Sequence, residues 1–101
     1  MAQFVAMNIP LPAKLEVTGN LATNWKKFRR MWDNYEIASK LKVQDQEQRI
    51  STLLVCIGPE ALDIYYGLPW QTSVDEDGTV RSESRDINLV LKKLEAYYIN
   101  W

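Results

Sequence analysis

The 101 residues suffice for one domain with one modest core, and 47% hydrophobic with 25% charged content marks an ordinary globular chain, not a disordered, collagenous or membrane-embedded one. A formal net charge of -1 gives no overall attraction to nucleic acid or anionic lipid, so either role needs a local patch. No run approaches the ~20 apolar residues of a membrane span. The first ten residues lack the features of a signal peptide, and the single cysteine forbids an internal disulfide, which together predict a cytoplasmic protein without a membrane partner.

Residues 1–22 carry Pro10 and Pro12, then Leu15, Val17 and Gly19 among polar residues. Proline disfavours helix for itself and its predecessor, so this stretch is predicted to be an extended arm, with a strand-like piece over residues 14–18. A helical domain follows over residues 23–101, with helices at about 24–39, 46–57, 59–66 and 86–98. In the first helix Trp25, Phe28, Met31, Trp32, Tyr35 and Ala38 recur at steps of three and four, which gathers them on one broad stripe. Thr23 is the expected N-cap. Lys26, Lys27, Arg29 and Arg30 fall largely off the stripe and form a basic outer face.

Asp45, with Gln48 three residues on, has the form of a capping box, and Ile50, Leu53, Leu54 and Ile57 supply the apolar face of the second helix. Gly58-Pro59 then predicts a sharp corner, because glycine suits the left-handed end of one helix and proline the first position of the next. The third, short helix offers Leu62, Tyr65 and Tyr66 for burial and ends at Gly67 and Pro69, with Trp70 closing the unit. Residues 71–85 show neither helical nor strand period and read as an exposed polar loop, with Asp77-Gly78 as its one hairpin signal. Ser84 or Asp86 caps the last helix, whose core face is Ile87, Val90, Leu91, Leu94 and Tyr98. The predicted fold class is therefore all-α, a small bundle of about four helices with an extended N-terminal arm and a long polar loop before the last helix.

The residue inventory narrows the chemistry. The chain has no histidine, which removes Cys-His and Ser-His nucleophile pairs and any histidine-based zinc or iron site. Cys56 reads as a small core residue. Asp75, Glu76 and Asp77 are the densest carboxylate cluster, but adjacent residues in a glycine-containing loop lack the rigid frame that acid/base catalysis needs, and the calcium-loop pattern is incomplete. No enzyme activity, metal or cofactor is expected. The run Lys26, Lys27, Arg29 and Arg30 reads as a solvated helix face or as a contact for an acidic surface on another copy. RNA binding there is the weaker alternative, since the neighbouring aromatics are needed inside. Trp25, Trp32, Tyr35 and Trp70 read as core, with a peptide groove as their alternative.

Several segments together resemble the N-terminal part of Gag polyproteins from gypsy-type long-terminal-repeat retrotransposons. They are Gly19-Asn20-Leu21-Ala22-Thr23-Asn24-Trp25-Lys26-Lys27-Phe28, the Trp-Asp-Asn-Tyr-Glu-Ile-Ala stretch from Trp32 to Ala38, Ile57-Gly58-Pro59-Glu60-Ala61, and Val90-Leu91-Lys92-Lys93-Leu94-Glu95-Ala96-Tyr97-Tyr98. The resemblance runs from Pro10 onward and implies the N-terminal lobe of a retrotransposon capsid, a structural protein that associates with copies of itself into a shell around RNA. Domesticated relatives keep such a lobe for assembly or peptide binding. The family's second lobe and Cys-Cys-His-Cys zinc knuckle, and the element's protease signature, do not occur in these 101 residues, so the expectation is a fragment or a truncated gene product. Self-association is expected to use the polar faces of the first and second helices around Lys26, Lys27, Arg30 and Glu47.

Overall fold

A computed structural model describes residues 9–99; the first eight residues of the predicted arm and the last two residues of the chain lie outside them. Among the described residues the fold has three helical elements, the second of them broken at Gly58, and one small hairpin. They are α1 (Leu21–Ala38), α2 (Gln46–Gly67), the antiparallel pair β1 (Thr72–Val74) and β2 (Val80–Ser82), and α3 (Ile87–Ile99), with single 3-10 turns at Leu41–Val43 and Glu83–Arg85.

Helix α1 begins three residues before its predicted start. Asn20, not Thr23, is the N-cap: its Oδ1 accepts from the Thr23 backbone N–H at 3.0 Å, so Thr23 lies inside the first turn. Asn24 then ties the arm down by donating to the carbonyls of Glu16 (3.2 Å) and Thr18 (2.7 Å). The arm forms no strand among the described residues. It does place Leu15 in the core, where its N–H donates to the Ile57 carbonyl at 3.0 Å.

The predicted stripe on α1 is correct at its centre and wrong at one edge. Trp25, Phe28 and Trp32 are buried and Tyr35 is half-buried, but Met31 is 44% exposed and Ala38 is exposed. Met31 sits about 100° round the helix from Trp32, beyond the reach of the core. The buried edge continues instead through Glu36, which extends the four-residue steps Phe28, Trp32, Glu36.

The predicted second and third helices form one bent element. Asp45 caps it as expected, its Oδ1 accepting from the Gln48 N–H at 2.8 Å. At the corner Gly58 takes φ 87 and ψ 167, a conformation essentially reserved for glycine, and Pro59 restarts the helix. Leu53, Cys56, Ile57, Ala61 and Tyr65 face inward and Leu54 and Leu62 pack at the edge, whereas Tyr66 is 70% exposed, one position round from Tyr65. Tyr66 is thus not a core residue.

Residues 71–85 hold a real hairpin with Thr72 opposite Ser82, Ser73 opposite Arg81 and Val74 opposite Val80. Gly78 at φ 88 makes the turn possible: its N–H reaches the Asp75 carbonyl (2.9 Å), and the Asp75 N–H reaches that of Thr79 (2.8 Å). The strict all-α expectation is corrected to a mostly helical fold with this two-stranded arm. Asp86 caps α3, its Oδ1 accepting from the Asn88 and Leu89 N–H groups at 2.9 and 3.3 Å.

Helix α3 packs against both α1 and α2 and so closes the core. Ile87, Val90, Leu91, Leu94 and Tyr98 are buried there, with the Tyr98 ring 5.9 Å from that of Trp25. At its N-terminus the Ile87 N–H donates to Gln46 Oε1 at 2.8 Å, which pins the start of α3 to the start of α2.

Candidate self-association surface

The basic run on α1 divides into two parts because successive residues turn by about 100°. Lys26, Arg29 and Arg30 border a shallow groove of about 480 Å³ between α1 and α3, completed by Trp25, Glu95 and Ile99. Lys27 lies off the groove and faces solvent. Arg29 is partly neutralised by Asp33, one helical turn on, at 2.9 Å. Lys26, Lys27 and Arg30 make no ion pair among the described residues.

The floor of the groove is fixed from below. Trp25 is buried, yet its indole N–H donates to Glu95 Oε1 at 3.0 Å, locking the ring edge and the Glu95 carboxylate together. Ile99, 39% exposed, supplies apolar surface at the end of α3. The result is an open site with the buried Trp25 beneath it, Ile99 as exposed apolar surface, two cations on its rim that are unpaired among the described residues, and one engaged carboxylate. Such a surface suits an acidic group carried on an apolar stem.

Glu47 is exposed in the first turn of α2 and is not a groove residue. The four aromatics that might have lined a peptide groove fall into two clusters. Trp25, Phe28, Trp32 and Tyr35 run along α1 with ring centroids 6.1 to 6.5 Å apart, and Trp32 is fully buried. Trp70 packs instead against Tyr65, with ring centroids 4.8 Å apart and planes tilted by 47°, and donates its indole N–H to the Tyr65 carbonyl at 2.8 Å.

Two charged contacts escaped sequence reasoning. Arg49 on α2 grips the buried Glu36 carboxylate through Nε (2.7 Å) and Nη2 (3.0 Å), and this hydrogen-bonded partner raises the guanidinium pKa. Lys93 donates to Glu83 Oε1 at 2.7 Å and to the Pro69 carbonyl at 2.6 Å, and it lies 5.3 Å from the Trp70 ring centroid. The steps Phe28, Trp32, Glu36 contained the first signal; Lys93, beside the apolar Leu94, gave none that spacing could separate from an exposed lysine.

Two of the three clustered loop carboxylates, Asp75 and Asp77, take structural roles. Asp75 pairs with Arg81, and Asp77 accepts from the Thr79 N–H at 2.9 Å, a bond that lowers its pKa. Burial pushes the Cys56 thiol pKa up, the opposite of nucleophile activation. Among the described residues no group of His, Cys, Asp or Glu is placed to hold a metal ion, and no helix is long and apolar enough to cross a membrane. No protein-family model, curated protein or solved structure matches this chain.

Proposed function

We propose that this chain is a structural, self-associating helical lobe of the kind found at the N-terminus of retrotransposon capsids, and that copies of it meet through the rim of the α1–α3 groove. The observation that carries the reading is the pair Lys26 and Arg30, without an ion partner among the described residues and beside the exposed Ile99, in a chain whose net charge is only -1. Cations left over in a near-neutral chain have their complement elsewhere on the same molecule, and copies of one chain always supply it.

The segments that resemble Gag also occupy the joints of the fold. Asn24 and Trp25 tie α1 to the arm and to α3, Gly58-Pro59 sets the bend of α2, and Leu94 and Tyr98 seal α3 against the rest. A peptide-binding adaptor whose groove is lined by Trp32 is disfavoured, because that ring has no exposed surface.

Assembly of this kind accumulates weak contacts through repetition. Light scattering over a concentration series at low ionic strength is the test, with reversible growth beyond the monomer expected and its reduction by salt. A monomer at every concentration contradicts the reading, as does growth that appears only when RNA is added.

A further inference from the structure

Among the described residues nothing covers the valine pair of the β1–β2 hairpin. Val74 and Val80 sit directly opposite each other behind the turn, yet they are 67% and 66% exposed. Cross-strand valines ordinarily bury one face against something. The tip beyond them carries Glu76 and Asp77. Asp75 is neutralised by Arg81, but Glu76 is exposed and makes no ion pair among the described residues.

This hairpin and the α1–α3 groove are complementary in two respects. The groove offers Lys26 and Arg30 at its rim with Ile99 as exposed apolar surface over the buried Trp25; the hairpin offers an acidic tip on a neck of paired valines. We propose that the hairpin of one copy docks into the α1–α3 groove of the next, Glu76 meeting Lys26 and Arg30, and Val74 with Val80 packing on Ile99. The proposal rests on the self-association reading and names the element that fills the site.

Among the described residues, the hairpin does not line the groove of its own chain. The strands flank Gln46, Asp86 and Leu89 near the N-terminal end of α3, and their base is tied by the Gln71 N–H to Glu83 Oε1 at 2.9 Å and by Lys93 to Glu83 and the Pro69 carbonyl. The groove lies at the other end, at Glu95 and Ile99. With about 1.5 Å of rise per residue, the two ends of α3 are separated by roughly 18 Å. The contact is therefore head-to-tail, and each copy presents an empty groove at one end and a free hairpin at the other. Heterologous contacts of this type propagate into rings or filaments.

Charge exchange tests it. Glu76→Lys and the double variant Lys26→Glu, Arg30→Glu alter exposed side chains, and unchanged circular dichroism and melting confirm the fold. In sedimentation velocity at low ionic strength each reversed chain alone is expected to associate at least about tenfold more weakly than the original. A chain carrying all three changes, or an equal mixture of the two reversed chains, is expected to recover association. If either reversed chain associates as the original does, or the combination fails to recover, the docking is overturned while self-association stands. If the original chain stays monomeric up to millimolar concentration, both fall.

Discussion

Arg49 holds Glu36 in a two-pronged grip, at 2.7 and 3.0 Å, across the interface between α1 and α2. The carboxylate is 3% exposed, so it depends on that guanidinium for nearly all of its charge compensation.

Removing one partner leaves the other charge stranded. Arg49→Ala is expected to cost about 3 to 5 kcal/mol in urea unfolding, and Arg49→Lys much of that, since an ammonium cannot reproduce the planar fork. Replacing both residues with Glu36→Leu and Arg49→Met is expected to be far milder than either truncation. A double variant as unstable as the sum of the single ones would show that the pair is not coupled.

The centre of the α1 stripe sets the next expectation. Trp32→Ala should cost ~3 to 5 kcal/mol because the ring is entirely buried against Phe28 and Tyr35. Met31→Ala, on the exposed flank, should stay within about 0.5 kcal/mol. Thermal melts of the two variants separate them.

Gly58 is irreplaceable for two reasons. Its φ of 87 strains any other residue, and an added Cβ would stand 3.0 Å from Lys14 Cβ on the arm. Gly58→Ala is expected to destabilise by more than about 1 kcal/mol, whereas Gly67→Ala, with nothing near its missing Cβ, should be neutral or slightly stabilising. Equal melting shifts for the two would contradict this account of the bend.

Stability should fall at both ends of the pH scale. The Lys93 ammonium, helped by the Gln71 N–H, holds the Glu83 carboxyl below the usual range. A depressed folded pKa gives stability that is full above about pH 4.3 and is lost as pH falls through the folded value. Glu83→Gln should flatten that acid limb of a urea-midpoint profile.

At the alkaline end, burial, aided by the neighbouring Tyr97, pushes the Tyr98 pKa up to about 12. A raised folded pKa gives stability that is full below about pH 10 and disappears as pH climbs through the folded value. Tyr98→Phe should remove this loss. Because the Tyr98 hydroxyl is buried without a hydrogen-bond partner among the described residues, the variant should also be about 1 kcal/mol more stable at neutral pH.

What the sequence revealed follows the strength of its local signals. The core positions of α1 and α3 stand out because apolar side chains repeat at helical steps, and the Gly58-Pro59 bend stands out because few conformations suit that dipeptide. The hairpin was nearly invisible: strands of three residues, exposed on both faces, leave no alternation to detect, and only Asp77-Gly78 hinted at the turn. The two parts of the basic run became distinct only when α3 brought Glu95 and Ile99 beside Lys26 and Arg30, 65 or more residues away in sequence. Glu36 was hidden by its type, since a carboxylate on an apolar stripe is ordinarily read as the edge of the stripe.

The most direct test of the docking is zero-length carbodiimide cross-linking of an equal mixture of 14N- and 15N-labelled chains, read by mass spectrometry. The account predicts mixed-label Lys26–Glu76 products, whose yield drops with salt and vanishes in Glu76→Gln. Cross-links formed only within single-label chains, or mixed-label products that leave Lys26 and Glu76 untouched, would contradict it.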